Sequence, residues 1–353
     1  MAKKLKVGIA GHGLVGKRRH NFIDMHPLFC VTAVSDQTYS SEKEERSNLC
    51  YYGDYRQMIE QEELDVLFVC LPNHVAADAT IMGLKKNSHV FCEKPPGRNV
   101  QDIRRVIEVE KLHPNLKLKY GFNHRYHDSV LDALKIVKEK TLGKIVNIRG
   151  VYGKSVLTPK IKGITDPNDP VYWRAQREIA GGGILLDQGI HMLDLIRCYA
   201  GEFTEIKSFV TNDFWNKDVE DNAYALMRTD EGVVAFIQSS ATQWRHKFSL
   251  EMMFEKGALT LSGILSSTRS YGQEVLTIAY REEENGGNPR ETTTSYIYDN
   301  SWEREIAEFA DSISNDKPVS VGTSLDALKT MELVYRIYCS DHEWQSKYDI
   351  SID

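Results

Sequence analysis

The sequence predicts an α/β protein with a doubly wound parallel sheet, followed by an α/β domain with an open, mostly antiparallel sheet. Three observations predict this. The chain has 353 residues, beyond the roughly 250–300 at which a single core usually divides. Apolar runs alternate with helical stretches over residues 5–122, as in parallel sheets. After Gly143 strand-like segments follow one another with few helices between them, which favours an antiparallel sheet.

The first apolar run, residues 7–10, is short enough for a buried parallel strand. The turn after it consists of Gly11, His12, Gly13, Leu14, Val15 and Gly16. In this Gly-x-Gly-x-x-Gly spacing the first glycine permits a tight turn, the second lets a pyrophosphate approach the backbone, and the third lets the helix pack closely. The N–H groups at the helix start hold the diphosphate. The alternative is a glycine turn that binds nothing.

The next apolar run, residues 31–35, ends at Asp36. A carboxylate in this position accepts hydrogen bonds from the ribose hydroxyls of an adenosine and repels a 2′-phosphate. Gln37 and Thr38 follow, and neither is basic. The sequence therefore predicts NAD as the cofactor in preference to NADP, with a loop-capping Asp36 as the alternative.

The remaining elements follow from apolar periodicity and from turn residues. Helices are predicted at residues 17–25, 42–48, 58–63, 75–86, 102–112, 187–199, 302–314 and 326–339. Strands are predicted at residues 64–71, 89–92, 117–122, 145–152, 205–214, 222–228, 233–243, 248–254, 258–261 and 275–281. Residues 282–294 are polar and contain glycine, which predicts an exposed hairpin loop.

Composition limits the function. The net charge is −6, and 27% of the residues are charged, so no basic excess indicates nucleic acid or a membrane surface as partner. No apolar stretch reaches the length of a signal peptide core or a membrane span. The six cysteines are scattered without a Cys-x-x-Cys pair, so we expect reduced thiols, no zinc or other metal site, and a cytoplasmic protein.

Three motifs occur in a characteristic order: the Gly11–Gly16 turn, Glu93-Lys94-Pro95, and Gly-Gly-Ile-Leu-Leu-Asp-Gln-Gly-Ile-His at 182–191. With them the sequence resembles the Gfo/Idh/MocA oxidoreductases, the family of glucose–fructose oxidoreductase and inositol dehydrogenase, over nearly its whole length. The resemblance implies a Rossmann domain at residues 1–123 and a substrate-binding and oligomerisation domain at 124–353. We expect the C-terminal helix to pack back on the first domain.

Oxidation of a secondary alcohol needs a base at the hydroxyl and positive charge for the developing alkoxide. Lys94 and His191 are the two candidates, and the sequence leaves open which carries the proton. Lys94 follows an apolar strand and so lies at the sheet edge where ligands bind. The Lys94–Pro95 peptide can be cis, and Glu93 beside it can hold the lysine charged. The alternative is a surface lysine at a strand end.

The resemblance implies that His191 is an acid/base and that Asp187 binds a substrate hydroxyl or orients the site. Asp187 and His191 are four residues apart and would share one face of an α-helix. The alternatives are a helix N-cap for Asp187 and a packed imidazole for His191. Further cofactor contacts are predicted on motif positions after two strands: Leu71, Pro72, Asn73, His74, Glu93 and Lys94.

For the substrate, Arg125 is predicted either to bind an anionic group or to pair with a carboxylate. Residues 154–177 form a long connection that contains Lys154, Pro159, Lys160, Lys162, Pro167, Trp173, Arg174 and Arg177. Connections of this length are usually functional. Trp173 could stack on a sugar or base, and Arg174 or Arg177 could clamp a phosphate or carboxylate. We therefore hypothesise an anionic or nucleotide-linked sugar, with a solvated basic loop as the alternative.

The predicted function is an NAD(H)-dependent dehydrogenase that transfers hydride between the nicotinamide and a secondary alcohol or ketone of a sugar, sugar derivative or polyol. One alternative is redox-assisted lysis with tightly bound NAD, and another is a non-catalytic sensor. Lys94, Asp187 and His191 together argue against a sensor. The resemblance also implies a homodimer or homotetramer through the exposed face of the C-terminal sheet.

Overall fold

The computed structural model describes residues 4–40, 42–158, 170–266, 268–282 and 287–352. The chain divides into two compact units. The first consists of Met1–Asn123 with Trp302–Lys329, and the second of His124–Ser301 with Thr330–Asp353. Residues 302–329 thus belong to the first unit and not, as the sequence predicts, to the second domain.

The elements up to residue 138 are β1 (Leu5–Ala10), α1 (Leu14–Met25), β2 (Phe29–Ser35), β3 (Glu44–Arg46), β4 (Leu49–Tyr52), α2 (Tyr55–Gln61), β5 (Val66–Val69), α3 (Asn73–Lys85), β6 (His89–Cys92), α4 (Val100–Leu112), β7 (Leu118–Tyr120), a 3₁₀ turn (Asn123–Tyr126) and α5 (Asp128–Lys138). The later elements are β8 (Ile145–Gly153), a 3₁₀ turn (Pro170–Ala175), α6 (Arg177–Ala180), a π-helical turn (Leu185–Gly189), α7 (Ile190–Ala200), β9 (Phe203–Thr211), β10 (Asn222–Thr229), β11 (Val234–Ser240), β12 (Lys247–Phe254), β13 (Gly257–Ser262), β14 (Glu274–Tyr280), β15 (Arg290–Tyr296), α8 (Ser301–Ser314), α9 (Ser324–Ser340) and α10 (His342–Tyr348).

The sheet of the first unit has the strand order β3-β4-β2-β1-β5-β6-β7. Its neighbouring strands are parallel except for the β3–β4 pair. The predicted doubly wound sheet is confirmed. Phe309 of α8 packs edge-on against Phe68 and Phe91, with ring centroids 6.1 and 5.6 Å apart. Because α8 fills part of this core, the late segment completes the first unit.

The sheet of the second unit has the order β15-β14-β13-β12-β8-β11-β10-β9, and only β8 and β11 pair in parallel. The predicted open, mostly antiparallel sheet is confirmed. On β10 the side chains of Ala223, Ala225 and Met227 are buried, while Leu226 points to the exposed face. The helix α7 packs so closely on the buried face that a Cβ added at Gly150 would lie 2.8 Å from Met192.

One predicted element is wrong and one is only partly right, and both concern polar edge strands. The predicted helix at 42–48 contains strand β3, which pairs with β4. The predicted hairpin loop at 282–294 does lie between two antiparallel strands, β14 and β15, but β15 already begins at Arg290; residues 283–286 lie outside the described part. Both strands carry mostly exposed polar side chains. Backbone pairing with the neighbouring strand holds them, so no apolar alternation marks them in the sequence.

The helices differ from prediction at two further points. Helix α5 has no counterpart among the predicted elements. The predicted helix at 326–339 corresponds to α9, and α10 follows it. The later part of α9 bonds to the second unit, because Tyr338 Oη donates to Glu220 at 2.6 Å and Ser208 Oγ donates to the carbonyl of Ile337 at 2.6 Å. The late helix in the core of the first unit is α8, whereas α9 begins in the first unit and passes into the second at Thr330. Only the start of the predicted C-terminal helix therefore belongs to the first unit.

Among the described residues, one helical stretch, Arg177–Ala200, has the length and apolarity of a membrane span. The apolar window of that stretch is 83% buried within the protein. A core helix of a folded domain passes the same test of length and composition.

Candidate active site

The glycine turn between β1 and α1 leaves one side of its backbone open. Gly11 has φ +90°, and a Cβ added there would lie 2.4 Å from the carbonyl oxygen of Cys70. A Cβ on Gly16 would lie 1.9 Å from the carbonyl oxygen of Gly11. By contrast, the nearest atom to a Cβ added at Gly13 is Oδ2 of Asp36, 3.9 Å away. An open backbone of this kind can accept a phosphate group against it.

The start of α1 is available to an anion, since Gly13 caps it without a side-chain bond and the first turn carries no acidic residue. Beside it, Asp36 is fixed by Thr38, whose backbone N–H and hydroxyl donate to Oδ1 at 3.1 and 2.7 Å. An adjacent cleft is lined by Gln37, Tyr39, Gly53, Asp54 and Gln57. These five include no Lys or Arg to receive a 2′-phosphate. The residues thus fit NAD, held by the glycine turn and Asp36.

His12, inside the glycine turn, links the turn to neighbouring side chains. Its Nδ1 lies 2.6 Å from the Tyr39 hydroxyl, and its Nε2 lies 2.9 Å from Nδ1 of His20. Burial, together with the charges of His20 and Lys17, lowers the pKa of His12 to about 4. The imidazole is therefore neutral at neutral pH. Its contact with the cofactor stays a prediction, as do those of Leu14 and Val15.

The second predicted cofactor segment follows β5. Leu71 and Pro72 are partly exposed, Asn73 is the buried first residue of α3, and His74 is exposed. Partial desolvation of its ring and the nearby Arg98 lower the pKa of His74. The segment lies at the same carboxyl edge of the sheet as the glycine turn, because β5 and β1 are parallel neighbours. Its contacts with a cofactor remain predicted.

The third segment, Glu93, Lys94 and Pro95, follows β6, and the Lys94–Pro95 peptide is cis. The carboxylate of Glu93 faces the interior of the first unit. Its Oε1 accepts a hydrogen bond of 2.6 Å from Nε of Arg19, and a Cβ added at Gly121 would lie 2.9 Å from its Oε2. Arg19 therefore fixes the residue next to Lys94.

Arg19 is the centre of five charged residues in the first unit: Arg19, Glu93, Lys119, Glu305 and Glu308, here called the buried charge cluster. Arg19 Nη2 donates to Glu305 at 2.6 Å, and Lys119 Nζ lies 2.7 Å from Glu308. The side chains of Arg19, Lys119 and Glu305 are fully buried. Burial outweighs the two cations and raises the pKa of Glu305 to about 7. Burial also lowers the pKa of Lys119.

In the second unit, Glu220 anchors the glycine stretch that leads to Asp187. Its two carboxylate oxygens accept hydrogen bonds from the backbone N–H groups of Gly183 at 2.7 Å and Leu185 at 3.0 Å. The hydroxyl of Tyr338 donates to the same carboxylate. Glu220 is fully buried, and burial raises its pKa. A fixed acceptor for N–H groups at a helix start is what a side-chain cap provides.

Asp187 lies in the π-helical turn Leu185–Gly189, and His191 lies in the first turn of α7. The prediction that both share one regular α-helix is therefore wrong in its geometry. A π-turn has a wider hydrogen-bond spacing than an α-helix and often occurs at functional sites. Asp187 is not an N-cap, because Ile184 occupies that position. The Asp187 side chain is 23% exposed, whereas His191 is buried.

Two cations flank Asp187 in what we call the Asp187 cluster. Lys154 Nζ lies 2.9 Å from Oδ2, and Arg174 Nε lies 3.5 Å from Oδ1. The guanidinium of Arg174 also covers the ring of Trp173, 4.3 Å from its centroid. The other predicted loop residues Pro159, Lys160, Lys162 and Pro167 lie outside the described residues. The cluster thus presents two cations for one partly exposed carboxylate.

His191 is packed against a second imidazole. Its ring centroid lies 3.7 Å from that of His124, and the planes differ by 13°. Nε2 of His124 lies 3.1 Å from the hydroxyl of the buried Tyr152. Burial raises the pKa of Tyr152 well above its ordinary value, so this hydroxyl remains protonated and can donate to the imidazole.

Comparison with known proteins identifies the family. Residues 5–122 match the model of an oxidoreductase family with an NAD-binding Rossmann fold, and residues 130–260 match the Gfo/Idh/MocA C-terminal domain. The chain belongs to the Gfo/Idh/MocA oxidoreductase family. The predicted family and NAD as cofactor are thereby confirmed. Named members include sugar and polyol dehydrogenases.

A levoglucosan dehydrogenase of Pseudarthrobacter phenanthrenivorans is 28% identical over 59% of this chain and 54% of its own length. The chain is thus aligned to about half of that relative. A myo-inositol 2-dehydrogenase of Thermotoga maritima is 25% identical over 75% of this chain and 77% of its own. A solved levoglucosan dehydrogenase in complex with NADH and levoglucosan superimposes with a TM-score of 0.80 at 21% identity, covering 97% of this chain and 98% of that one. At this identity the likeness concerns the fold.

Of the two predictions for Arg125, the structure shows the carboxylate pair. Its Nε and Nη2 contact the two oxygens of Asp194 at 2.7 and 2.5 Å, and both residues are buried. A bidentate pair of this kind fixes the guanidinium plane. The predicted substrate contact of Arg125 is therefore corrected to a structural pair within the second unit.

Sequence reasoning missed several residues around these sites: Arg19, His124, Tyr152, Glu220, Glu305 and Tyr338. Arg19 and Glu305 are charged, which predicts exposure, and they are 286 residues apart. Glu220 and Tyr338 are 118 residues apart. His124 was detectable only as a neighbour of Arg125 in the segment after β7. Pairing over such distances leaves no local pattern in a single sequence.

Proposed function

We propose that the protein is an NAD(H)-dependent dehydrogenase that acts on a secondary hydroxyl of a sugar, sugar derivative or polyol. The observation that carries the proposal is the arrangement at the start of α7, in a family that binds NAD. There a partly exposed carboxylate, Asp187, lies between two cations, and a buried imidazole, His191, follows it.

When bound, NAD supplies the hydride acceptor in oxidation and, in its reduced form, the donor in reduction. The side chains handle the proton. In oxidation, His191 or Lys94 accepts the proton of the substrate hydroxyl, and the ammonium form of Lys94 stabilises negative charge that develops on the oxygen. Asp187 accepts a hydrogen bond from a neighbouring hydroxyl. Lys154 Nζ holds this carboxylate in place by its contact at 2.9 Å.

We further propose that the substrate carries an anionic group, such as the carboxylate of an acid sugar or the phosphates of a nucleotide-linked sugar. Lys154 and Arg174 provide two cations to one carboxylate, and the Arg174 side chain is 39% exposed. Its planar fork suits a carboxylate or phosphate. Trp173 offers an aromatic face beside it, so a base or sugar ring is a further expected contact.

A substrate panel tests the proposal. Neutral sugars, polyols, acid sugars and nucleotide-linked sugars are each incubated with NAD, and NADH absorbance is followed. We expect net NADH formation, fastest with an anionic member. NAD that stays bound through purification, with bond cleavage and no net NADH, would instead indicate redox-assisted lysis. Binding of NAD without turnover of any member would indicate a sensor.

We also propose a homodimer or homotetramer formed through the exposed face of the second sheet. Large apolar side chains project from this face on four of its strands: Phe209, Leu226, Val234 and Met253. Their exposure favours coverage by a partner. Light scattering tests the assembly, and Leu226→Glu should shift it to the monomer. The six free cysteines support a cytoplasmic location, which cell fractionation would test.

A further inference from the structure

The stack of His124 on His191 carries an inference about how the proposed proton carrier is held. His124 belongs to the 3₁₀ turn Asn123–Tyr126, which precedes α5, and His191 belongs to α7. Their rings are nearly parallel, with centroids 3.7 Å apart and an angle of 13° between the planes, and both residues are under a tenth exposed. This face-to-face contact restricts rotation of the His191 ring about its side-chain bonds.

His124 is itself fixed by its surroundings. Its Nε2 lies 3.1 Å from the Tyr152 hydroxyl. Its ring meets the ring of His127 edge-on at 5.5 Å, and Nδ1 of His127 is 2.7 Å from Glu274. Tyr152 in turn packs edge-on against Phe248 at 5.2 Å. A ring held from these directions is a rigid surface for the imidazole stacked on it.

The stack also couples the two rings through charge. Two imidazolium ions with centroids 3.7 Å apart repel each other strongly away from bulk water. One imidazolium, by contrast, is stabilised over the face of a neutral ring. The charged or titratable groups in contact with the pair or with its neighbours include Arg125, His127, Tyr152, Lys154, Asp187, Asp194, Tyr271 and Glu274. The same elements also carry Tyr126, Asp128, Arg149, Arg197, Cys198 and Tyr199. Arg125, Lys154 and the imidazole of His127 each contact a carboxylate.

We propose that His124 is a positioning residue that fixes the plane of the His191 imidazole and restricts the stacked pair to a single positive charge. The inference rests on the proposed role of His191 as a proton carrier. His124 itself contacts the substrate in no step of the proposed reaction. It acts only through His191.

Three variants separate the two effects. His124→Ala removes the stack, and His124→Phe keeps an aromatic face but removes the second titrating ring. We expect kcat to fall about 10- to 100-fold in His124→Ala, as for other losses of alignment, with KM little changed, and to recover largely in His124→Phe. Tyr152→Phe removes only the hydrogen bond and should lower kcat less than His124→Ala. Thermal melts show whether each variant is folded.

Titration of the apo protein gives a readout independent of turnover. With isotope-labelled histidine, the NMR signals of His124 and His191 should each titrate in two coupled steps. In His124→Phe, His191 should titrate in one step. His342→Phe, at an exposed position in α10, serves as a matched control that leaves the coupled steps intact.

The outcomes distinguish the two proposals. If His191→Asn retains full turnover, the proposed function is wrong at this residue. A different result would overturn the positioning role while the proposed function stands. In that result His191→Asn is inactive, but His191 titrates identically in the wild type and in His124→Phe, and a folded His124→Ala has unchanged kcat. If His124→Ala does not fold, the titration in His124→Phe decides alone.

Discussion

The buried charge cluster of the first unit and the Asp187 cluster of the second unit are both groups of close ion pairs, yet they are built differently. In the first cluster, three members are fully buried and the carboxylates outnumber the cations. In the second, every member is partly exposed and the cations outnumber the carboxylate. The first arrangement holds a backbone segment in place, and the second leaves charge accessible to a ligand. Ion pairs with similar N–O distances thus have different roles: the buried pairs fix the backbone, and the partly exposed pairs leave charge accessible to a ligand.

The largest expected effect is a loss of turnover. It concerns Lys94, which follows Glu93 of the buried charge cluster, and His191, which comes four residues after Asp187. Lys94→Ala and His191→Asn should each lower kcat by about 10²- to 10⁴-fold, the usual contribution of a positioned proton-transfer group. NAD binding, followed by calorimetry, should stay within about threefold, roughly 0.65 kcal/mol. Retained turnover in either variant would remove that residue from the proposed mechanism.

The next largest effect is on stability and contrasts the two clusters directly. Arg19→Met leaves Glu93 and Glu305 without their cation, so we expect the free energy of unfolding to fall by about 3–5 kcal/mol. Lys154→Met should cost about 1 kcal/mol or less, because its pair with Asp187 is partly hydrated. Urea denaturation measures both. The double variant Arg19→Met/Glu305→Met should recover part of the loss; equal losses in the two single variants would contradict the comparison.

The pH dependence of stability provides a third test. Glu305 has a folded-state pKa of about 7 against an ordinary value of 4.5, so between these values the folded state binds more protons than the unfolded state. Its contribution is therefore fully present below pH 4.5 and lost as the pH rises through 7, by at most about 3 kcal/mol. Glu305→Gln should abolish this loss in melts from pH 4 to 8.

Glu308 supplies the matched control with the opposite sign. Although burial opposes it, the contact with Lys119 lowers the pKa of Glu308. Its contribution is present above the ordinary glutamate pKa and is lost as the pH falls through the lowered value. Glu308→Gln should therefore flatten the acidic end of the profile and leave the loss toward pH 7 unchanged. Identical profiles for the two variants would contradict the assignment.

The smallest effect concerns substrate preference. Arg174→Ala should lower kcat/KM for an anionic substrate about tenfold, equivalent to 1.4 kcal/mol, and leave neutral sugars unchanged. Arg177→Ala is the control, because Arg177 bonds to Asp218 and covers the ring of Tyr348 at 3.9 Å. It should change stability without changing the preference. An equal loss for neutral and anionic substrates in Arg174→Ala would refute the anionic group.

The fold was largely predictable because buried strands and glycine turns have local signatures. Strand β6 has the predicted bounds, His89–Cys92. At Gly11 and Gly16 an added Cβ would clash with backbone atoms, as the glycine spacing predicts. The failures share a cause: β3 and β15 are polar edge strands whose backbones, not their side chains, determine pairing. The π-turn at Asp187 is invisible to periodicity because it shifts the register by a single residue.

The site was predictable only where a motif is continuous in the chain. Lys94, Asp187 and His191 lie within such motifs. Arg19 carries no signal, since a charged residue on a helix normally faces water and its partner Glu305 is distant in sequence. The same holds for His124, whose importance depends on a stacking contact with a residue 67 positions later (191 − 124 = 67).

The pairing of Arg19 with Glu305 also has a consequence for synthesis of the chain. Arg19 is synthesised 286 residues before Glu305, whereas its other carboxylate partner, Glu93, follows after 74 residues. The core of the first unit, which also contains Phe309, therefore lacks one carboxylate and one aromatic ring until residues 302–329 have been made. The unit that begins first along the chain cannot reach its complete packing before the second sheet has been translated.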